Sequence, residues 1–285
     1  SGADLIDGAD GNDTLDGSFG NDSLYGGLGD DQLSDSQGAN LLDGGDGTDR
    51  LSSQALTGNH TLLGGLGNDQ LIGTGQNIFL DGGDNQDVLQ AIGSLSQNGS
   101  TTFVQRSSST LLGGAGNDYI SNTQIGTAQL QGNDGDDTLY VAVTNNSTLQ
   151  GGSGSDSLQL DVYNGYGYDI STGWGGCHRL DGGADNDALT VIGYGWINYG
   201  GTDLILDGGS GNDSLSVNDS AFIYNAGAFT TASLSGGDGD DTLTASGVLQ
   251  LTLSGGIGRD TFSLTALQYK ATQASFNFNT DNQGG

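Results

Sequence analysis

Short glycine-rich runs that end in aspartate are the residues in this chain best suited to chemistry. The clearest copy is GGDGDD at 236–241, followed by Thr242 and Leu243. Glycine at the first, second and fourth positions permits strained backbone angles and lets carbonyl oxygens lie close together. The aspartate at the sixth position adds a short carboxylate beside those carbonyls. A cluster of hard oxygen donors without His or Cys suits calcium, so the run predicts a calcium site.

The same frame, GGxGxDxL, recurs along nearly the whole chain, and a fixed period predicts stacked structural units. We predict that the sixth-position aspartates are metal ligands: Asp4, Asp13, Asp22, Asp31, Asp49, Asp69, Asp87, Asp118, Asp137, Asp156, Asp187, Asp213, Asp241 and Asp260. Backbone carbonyls of the same loops should join them, for example those of Gly44, Asp46, Gly64, Leu66, Gly236 and Asp238. No catalytic residue and no other cofactor site is predicted.

The spacing of the aspartates predicts two kinds of repeat. In residues 1–33 they are nine residues apart, so each copy is a six-residue turn plus a three-residue strand, and successive turns fall on opposite edges of a coil. In residues 34–262 the spacing is 18 to 31 residues, so only one edge keeps the motif. Asp13, Asp31 and their successors should line that edge, with Asp4 and Asp22 on the other.

The longer intervals predict insertions at the opposite edge, near 93–108, 161–178, 193–203 and 219–231. Two copies depart most from the frame, because Asn85 replaces the fourth glycine before Asp87, and Asp185 and Asn186 precede Asp187. We expect the weakest calcium sites beside these two copies.

Aliphatic residues flank each loop at fixed positions. Two residues before the glycine pair stand Leu42, Leu62, Leu80, Leu111, Leu130, Leu149, Leu180, Leu206, Leu234 and Leu253. Two residues after the aspartate stand Leu51, Leu71, Leu89, Ile120, Leu139, Leu158, Leu189, Leu215, Leu243 and Phe262. A period of two beyond these positions predicts strands with one buried face, and no segment has helical periodicity.

Charge and composition narrow the function further. The formal charge is -30, all 35 acidic residues are Asp, and only five residues are Lys or Arg. Such a charge excludes nucleic acid as a partner and predicts that folding is coupled to metal binding. The single Cys177 allows no internal disulfide, and no apolar run is long enough to span a membrane. Because Ser1 lies inside a repeat, we expect a segment of a larger chain.

The repeated GGxGxDxL frame resembles the RTX, or haemolysin-type calcium-binding, family. The resemblance implies a parallel β-roll in which calcium lies between consecutive turns, held by loop carbonyls and sixth-position aspartates. We therefore expect an all-β, right-handed parallel β-roll or β-helix solenoid formed by residues 1–285 as one domain, with 263–285 as its C-terminal end segment. The family also implies a bacterial protein exported by type I secretion.

Several residues suggest other chemistry. The insertion region 163–199 holds Tyr163, Tyr166, Tyr168, Tyr194, Tyr199, Trp174 and Trp196, which could stack on sugar rings or instead pack over the open edge. Cys177 and His178 form a thiol and imidazole pair, but adjacency in sequence does not create a nucleophile. His60 is interpreted as a loop or stacked-turn residue.

We predict a calcium-dependent structural or adhesion module of a secreted or cell-surface bacterial protein, not an enzyme. It should be a monomeric segment, with calcium as a partner and a carbohydrate or cell-surface ligand as a candidate partner. The alternative is a catalytic or noncatalytic module of an extracellular polysaccharide-modifying enzyme that recognises carbohydrate through the aromatic insertions. Enzymes that act on acidic sugars need cationic side chains to bind them, and the five Lys and Arg residues of this chain are scattered.

Overall fold

The structure, a computed structural model, describes the residues of twelve segments that are separated by gaps. These segments are 2–54, 58–92, 95–98, 101–104, 107–123, 126–143, 146–164, 176–195, 202–219, 229–248, 250–265 and 273–277. Strands account for all of the regular structure in these segments, and no helix occurs there. The chain divides into two compact units, Ser1–Leu139 and Tyr140–Gly285.

The first unit contains strands that alternate between two parallel sheets. Its strands are β1 (Leu5–Asp10), β2 (Thr14–Asp16), β3 (Ser23–Leu28), β4 (Gln32–Asp35), β5 (Leu41–Asp46), β6 (Arg50–Ser53), β7 (Asn59–Leu66), β8 (Gln70–Thr74), β9 (Asn77–Asp84), β10 (Val88–Ile92), β11 (Leu95–Asn98), β12 (Thr101–Val104), β13 (Ser107–Ala115), β14 (Tyr119–Asn122) and β15 (Gly126–Asp134). One sheet has the order β1-β3-β5-β7-β9-β13-β15, and the other has the order β2-β4-β6-β8-β10-β14.

The register of these pairs follows the repeat. Leu24 of β3 lies beside Leu42 of β5, and Leu33 of β4 lies beside Leu51 of β6. One coil is therefore a strand of each sheet plus the two turns that join them, as the spacing of the aspartates predicts. Each turn of one coil is thus stacked on the equivalent turn of the next.

The second unit repeats the same architecture. Strand β16 (Thr138–Val143) begins just before the boundary; the unit continues with β17 (Ser147–Ser153), β18 (Ser157–Asn164), β19 (Cys177–Ala184), β20 (Ala188–Gly195), β21 (Thr202–Ser210), β22 (Ser214–Asp219), β23 (Phe229–Asp238), β24 (Thr242–Ser246), β25 (Gln250–Ile257), β26 (Thr261–Thr265) and β27 (Gln273–Asn277). Its sheets run β17-β19-β21-β23-β25-β27 and β18-β20-β22-β24-β26, again parallel. The prediction of an all-β parallel roll is confirmed in both units.

The core of each unit is a ladder of leucines. The residues predicted to flank the loops are no more than 1% exposed, except Phe262, which is half-buried in the last strand of its sheet. Alternation of buried and less buried residues along β7 and β21 shows the expected period of two. Because only one face of each strand is buried, each strand contributes only a few side chains to the core.

Replacing one core leucine should therefore have a large effect. Leu206→Ala removes a side chain that is 0% exposed, and we expect it to lower the free energy of unfolding by about 2–5 kcal/mol. Ile205→Ala is the control, because Ile205 is the adjacent residue and is 38% exposed. Urea denaturation in excess calcium measures both. Equal losses for the two variants would contradict a one-sided core.

The extra residues of the long coils lie where the spacing predicts. They separate β10 from β13, β18 from β19, β20 from β21, and β22 from β23. Within the first of these intervals, β11 and β12 form an antiparallel hairpin. The side chains of the aromatic residues in 163–199 lie outside the described residues, as do most other insertion residues.

Candidate metal sites

The turns that carry the motif are built by backbone angles that few residues adopt. Positive φ occurs at the second and fourth motif positions, for example 108° at Gly27 and 122° at Gly29. A Cβ on Gly27 would meet the carbonyl of Ala9 in the preceding coil at less than 3.0 Å. Glycine is needed there because coils approach one another so closely.

Non-glycine residues at these positions keep the same turn. The described residues other than glycine with positive φ are Ala9, Ser18, Asn85, Asn133 and Asp185, all at the second or fourth position. Asn85 and Asp185 belong to the two copies that depart most from the motif, and their φ values are 80° and 75°. Asn and Asp tolerate this region best among non-glycine residues, so the turn survives in these copies.

Sixth-position aspartates form a continuous row within each unit. The backbone N–H of each donates to Oδ1 of the aspartate one coil later, at 2.7 to 2.8 Å from Asp13 to Asp137. The same bonds connect Asp156, Asp187, Asp213, Asp241 and Asp260 at 2.7 to 3.1 Å. We call each of these two rows a first-edge row. Both contain only sixth-position aspartates.

The other carboxylate oxygen points to a shared position at each step of these rows. Oδ2 is buried and accepts no hydrogen bond in Asp13, Asp31, Asp49, Asp69, Asp87, Asp118, Asp187, Asp213 and Asp241. A Cβ added to the first glycine of the same turn would lie less than 3.0 Å from this Oδ2 and from the first-position carbonyl of the next coil. We call this space a cradle. It occurs at Gly8, Gly26, Gly44, Gly64, Gly82, Gly113, Gly151, Gly182, Gly208 and Gly236.

Burial changes the acidity of these carboxylates. It raises the pKa of Asp69, Asp118 and Asp241 from the ordinary 3.8 to about 6, and that of Asp187 to about 7. Asp87 reaches a pKa of about 8, because burial is reinforced by the charges of Asp118 and Asp69. The hydrogen bond from the preceding N–H works in the opposite direction but is the smaller effect. A buried anion in such a row therefore needs a cation or a proton.

The repeat matches a known protein family. The RTX calcium-binding nonapeptide repeat matches residues 1–33, 25–55, 54–89, 107–121, 126–142, 205–220 and 233–247, which together are more than half of the chain. The chain belongs to the RTX family. A search of curated proteins and a search of solved structures found no match. RTX repeats are typical of bacterial proteins exported by type I secretion.

The RTX motif extends beyond the matched segments. The copies that end at Asp156, Asp187 and Asp260 lie outside them, yet all three carboxylates belong to the first-edge row of the second unit. The cross-coil hydrogen bonds donated by Asp156 and Asp187 are 2.7 and 2.8 Å long, which is as short as those of the matched copies. The structure therefore shows the RTX turn in three copies that the family match does not cover.

The predicted carbonyl ligands fall into two groups. Carbonyls of Gly44, Gly64 and Gly236, at the first position, face cradles of the preceding coil. Those of Asp46, Leu66 and Asp238, at the third position, accept N–H bonds of 2.7 Å from Gly29, Gly47 and Gly211 respectively. A carbonyl oxygen has two lone pairs, so the second group retains one for a metal.

The donor set fits calcium better than a metal with side-chain ligands alone. Among the described residues, no group of three or more His, Cys, Asp or Glu side chains converges. Each cradle combines an aspartate oxygen with glycine carbonyls, and calcium accepts mixed oxygen donors in loose geometry. Zinc and copper favour nitrogen and sulfur donors, which are absent from the cradles.

The second edge departs from the RTX pattern after two copies. Asp4 donates its N–H to Asp22 Oδ1 at 2.8 Å, and Asp22 donates to Asn40 Oδ1 at 3.1 Å. Asp4 itself is exposed. The register then places His60, Ile78, Ser109 and Ala128 at the sixth position in the first unit, and Ser147, His178, Leu204, Ala232 and Leu251 in the second.

Two histidines at this edge are buried and structural. His60 lies in β7, not in a loop, and its Nδ1 is 2.7 Å from Ser53 Oγ. His178 Nδ1 is 2.5 Å from Ser147 Oγ, and burial lowers the pKa of His178 to about 4. Both residues of the second pair are at most 2% exposed, so a substrate has no access to them. Cys177 is exposed and faces away from this pair along the alternating strand.

Sequence reasoning missed two sets of polar residues. Fifth-position residues form an outer ladder, in which Asn12 Oδ1 accepts the N–H of Asp30 at 3.1 Å and Asn212 Oδ1 accepts that of Asp240 at 2.7 Å. The frequent Asn or Asp immediately before the sixth position was a readable signal for it. The second omission is Asp35, which stands where the motif has its first glycine. Asp35 is 3% exposed, and its Oδ2 is the atom nearest to a Cβ added at Gly17, in the preceding coil of the second edge.

Proposed function

We propose that this chain is a calcium-dependent structural or adhesion module of a secreted or cell-surface bacterial protein, acting as a monomeric segment of a larger chain. The observation that carries the proposal is the first-edge row, in which buried Oδ2 atoms without a hydrogen-bond partner face glycine carbonyls coil after coil. The residues that would hold calcium are the sixth-position aspartates and the loop carbonyls. Bound calcium would supply the positive charge that balances the negative charge of these oxygens.

Folding coupled to calcium follows from the charge of the chain. Successive aspartates are about one strand spacing apart, roughly 4.8 Å, and are buried, where like charges repel strongly. With a formal charge of -30 and five cationic residues, the protein offers few counterions of its own. The chain would stay unfolded at the low calcium of a bacterial cytosol and fold after export, because a ligand that binds only the native state stabilises it.

A calcium titration tests this proposal. Circular dichroism should show an unfolded chain in EGTA at neutral pH and a cooperative gain of β signal as calcium is added. Magnesium at the same concentration is the control, since it prefers a compact octahedral site and holds its water tightly. A sample that keeps its β signal and melting temperature in EGTA at neutral pH would refute calcium-dependent folding.

Within the described ranges, no helix has the length and apolar character needed to cross a lipid bilayer.

A further inference from the structure

We propose that Asp22 and Asp35 form a calcium site at the second edge in which two carboxylates face one another across Gly17. The repeat motif does not assign this site, because Asp35 occupies a position that the motif reserves for glycine. The inference rests on the proposed calcium-dependent function. It adds Asp35 as a calcium ligand, and it predicts the charge of this site and the order in which the calcium sites fill. We call it the paired-carboxylate site.

Geometry places both carboxylates at one point. A Cβ added to Gly17 would lie less than 3.0 Å from Oδ2 of Asp35 and from Oδ2 of Asp22. The cradles of the first-edge rows have one carboxylate oxygen and one glycine carbonyl at the equivalent point. At the second edge, register pairs Leu15 with Leu33 and so sets Asp35 directly beside Gly17 in the next coil. A side-chain oxygen therefore stands where the carbonyl would be.

Both oxygens are buried and lack a partner. Asp22 is 1% exposed and Asp35 is 3% exposed, and Oδ2 of each accepts no hydrogen bond. Their Oδ1 atoms are already used: Asp22 Oδ1 accepts the N–H of Asp4 at 2.8 Å, and Asp35 Oδ1 accepts that of Gln37 at 2.9 Å. The backbone thus fixes both carboxylates with the free oxygen directed into the site. Such an arrangement of two like charges is stable only with a cation between them or with a proton on one.

The charge count predicts the order of filling. In each first-edge cradle, the oxygens nearest to the added Cβ come from one carboxylate and one backbone carbonyl, so fewer negative charges face a divalent ion at that point. The paired-carboxylate site supplies two, which neutralise the ion in full. Because the affinity of an oxygen site for calcium increases with the number of charged ligands, this site should bind more tightly than its first-edge neighbours.

The next coils show that this site ends the row at the second edge. Asn40 follows Asp22 and is neutral; its Oδ1 accepts the N–H of Asp22, and its Nδ2 donates to the carbonyl of Gln37 at 3.3 Å. One coil later, Ser53 and His60 hydrogen-bond to each other directly. Asp35 is thus the last carboxylate before the second edge changes to polar pairs that need no ion.

The number of bound ions in the intact chain tests the proposal. Native mass spectrometry at a free calcium concentration buffered just above the dissociation constant of the tightest site should show one calcium fewer in Asp35→Asn than in the unsubstituted protein, and the tightest class of sites in a calorimetric titration should weaken roughly tenfold or more. Asp43→Asn is the control, because Asp43 is a half-buried aspartate of β5 that lies in no cradle. It should keep the full count.

Gly17→Ala tests the same site from the other side. Gly17 does not have a positive φ, and its new Cβ would occupy the position between the two carboxylates. The variant should lose the same single ion while its β signal in excess calcium is retained. A full count of ions in Asp35→Asn would overturn the paired-carboxylate site and leave the first-edge sites standing. Absence of calcium binding in the unsubstituted protein would overturn both proposals.

Discussion

Acidification should stabilise the calcium-free protein and destabilise the calcium-loaded one. Without calcium, burial raises the pKa of Asp87 to about 8 and that of Asp187 to about 7, whereas the unfolded chain titrates near 3.8. A raised pKa means that the fold binds protons more tightly than the unfolded chain. The resulting stability is fully present below pH 3.8 and is lost as the pH rises through about 6 to 8.

With calcium the sign reverses. A carboxylate must be deprotonated to bind the ion, so protons compete with calcium for the same oxygens. Stability in excess calcium should therefore fall as the pH is lowered from 8 to 5. Opposite slopes from one set of side chains are expected only where those side chains exchange a proton for a metal.

In EGTA, circular dichroism without urea compares the folded fraction at pH 5 and pH 8. In excess calcium, urea midpoints at the same two pH values measure the stability. Both pH values are above the sequence pI of about 4.1, which limits precipitation. Asp87→Asn should flatten the slope in EGTA, because it removes the carboxylate with the most elevated pKa. Parallel slopes in EGTA and in calcium would contradict the exchange of proton for metal.

Two adjacent glycines should respond to the same substitution in different ways. Gly208 has no positive φ, and a Cβ there would fill the cradle between Asp213 Oδ2 and the carbonyl of Gly236. Gly208→Ala should lose one calcium, and with it about 2.7 kcal/mol when calcium is in 100-fold excess over its dissociation constant. When the protein is folded by acid in EGTA the loss should be smaller than in calcium, because only the contact of the new Cβ with Asp213 Oδ2 and the Gly236 carbonyl remains.

Gly209→Ala should destabilise the protein with or without calcium. Gly209 has a φ of 104°, and its Cβ would meet the backbone carbonyl of Gly183 in the preceding coil. An alanine in this region costs about 1–2 kcal/mol before the contact is counted. Urea midpoints in calcium at pH 8 and in EGTA at pH 5 separate the two variants. If Gly208→Ala were as damaging as Gly209→Ala in EGTA, the cradle would be a packing feature and not an ion site.

The periodic part of this molecule could be predicted from sequence because each coil repeats the same backbone. Leucines at fixed distances from the glycine pair define both sheets, and a spacing of 18 or more residues places successive aspartates on the same edge. The same spacing predicts the rows of aspartates. Handedness, and the assignment of each carbonyl to an ion, remain predictions.

The second edge could not be predicted in the same way. Asp35, His60 and His178 each stand where the repeat has decayed, so the motif records them only as mismatches. What each does depends on a partner seven to 31 residues away, namely Asp22, Ser53 and Ser147. Those partners become neighbours only when the register between coils is known.

Hydrogen bonding along the first-edge rows also determines how far a disturbance spreads. One oxygen of each carboxylate holds the N–H of the coil before it, and the other forms a wall of its own cradle. Emptying one cradle therefore loosens the neighbour on either side, as in a one-dimensional array with nearest-neighbour coupling. The sharpness of the response to calcium then depends on the length of the uninterrupted row, so a shortened array should respond over a broader range of concentration.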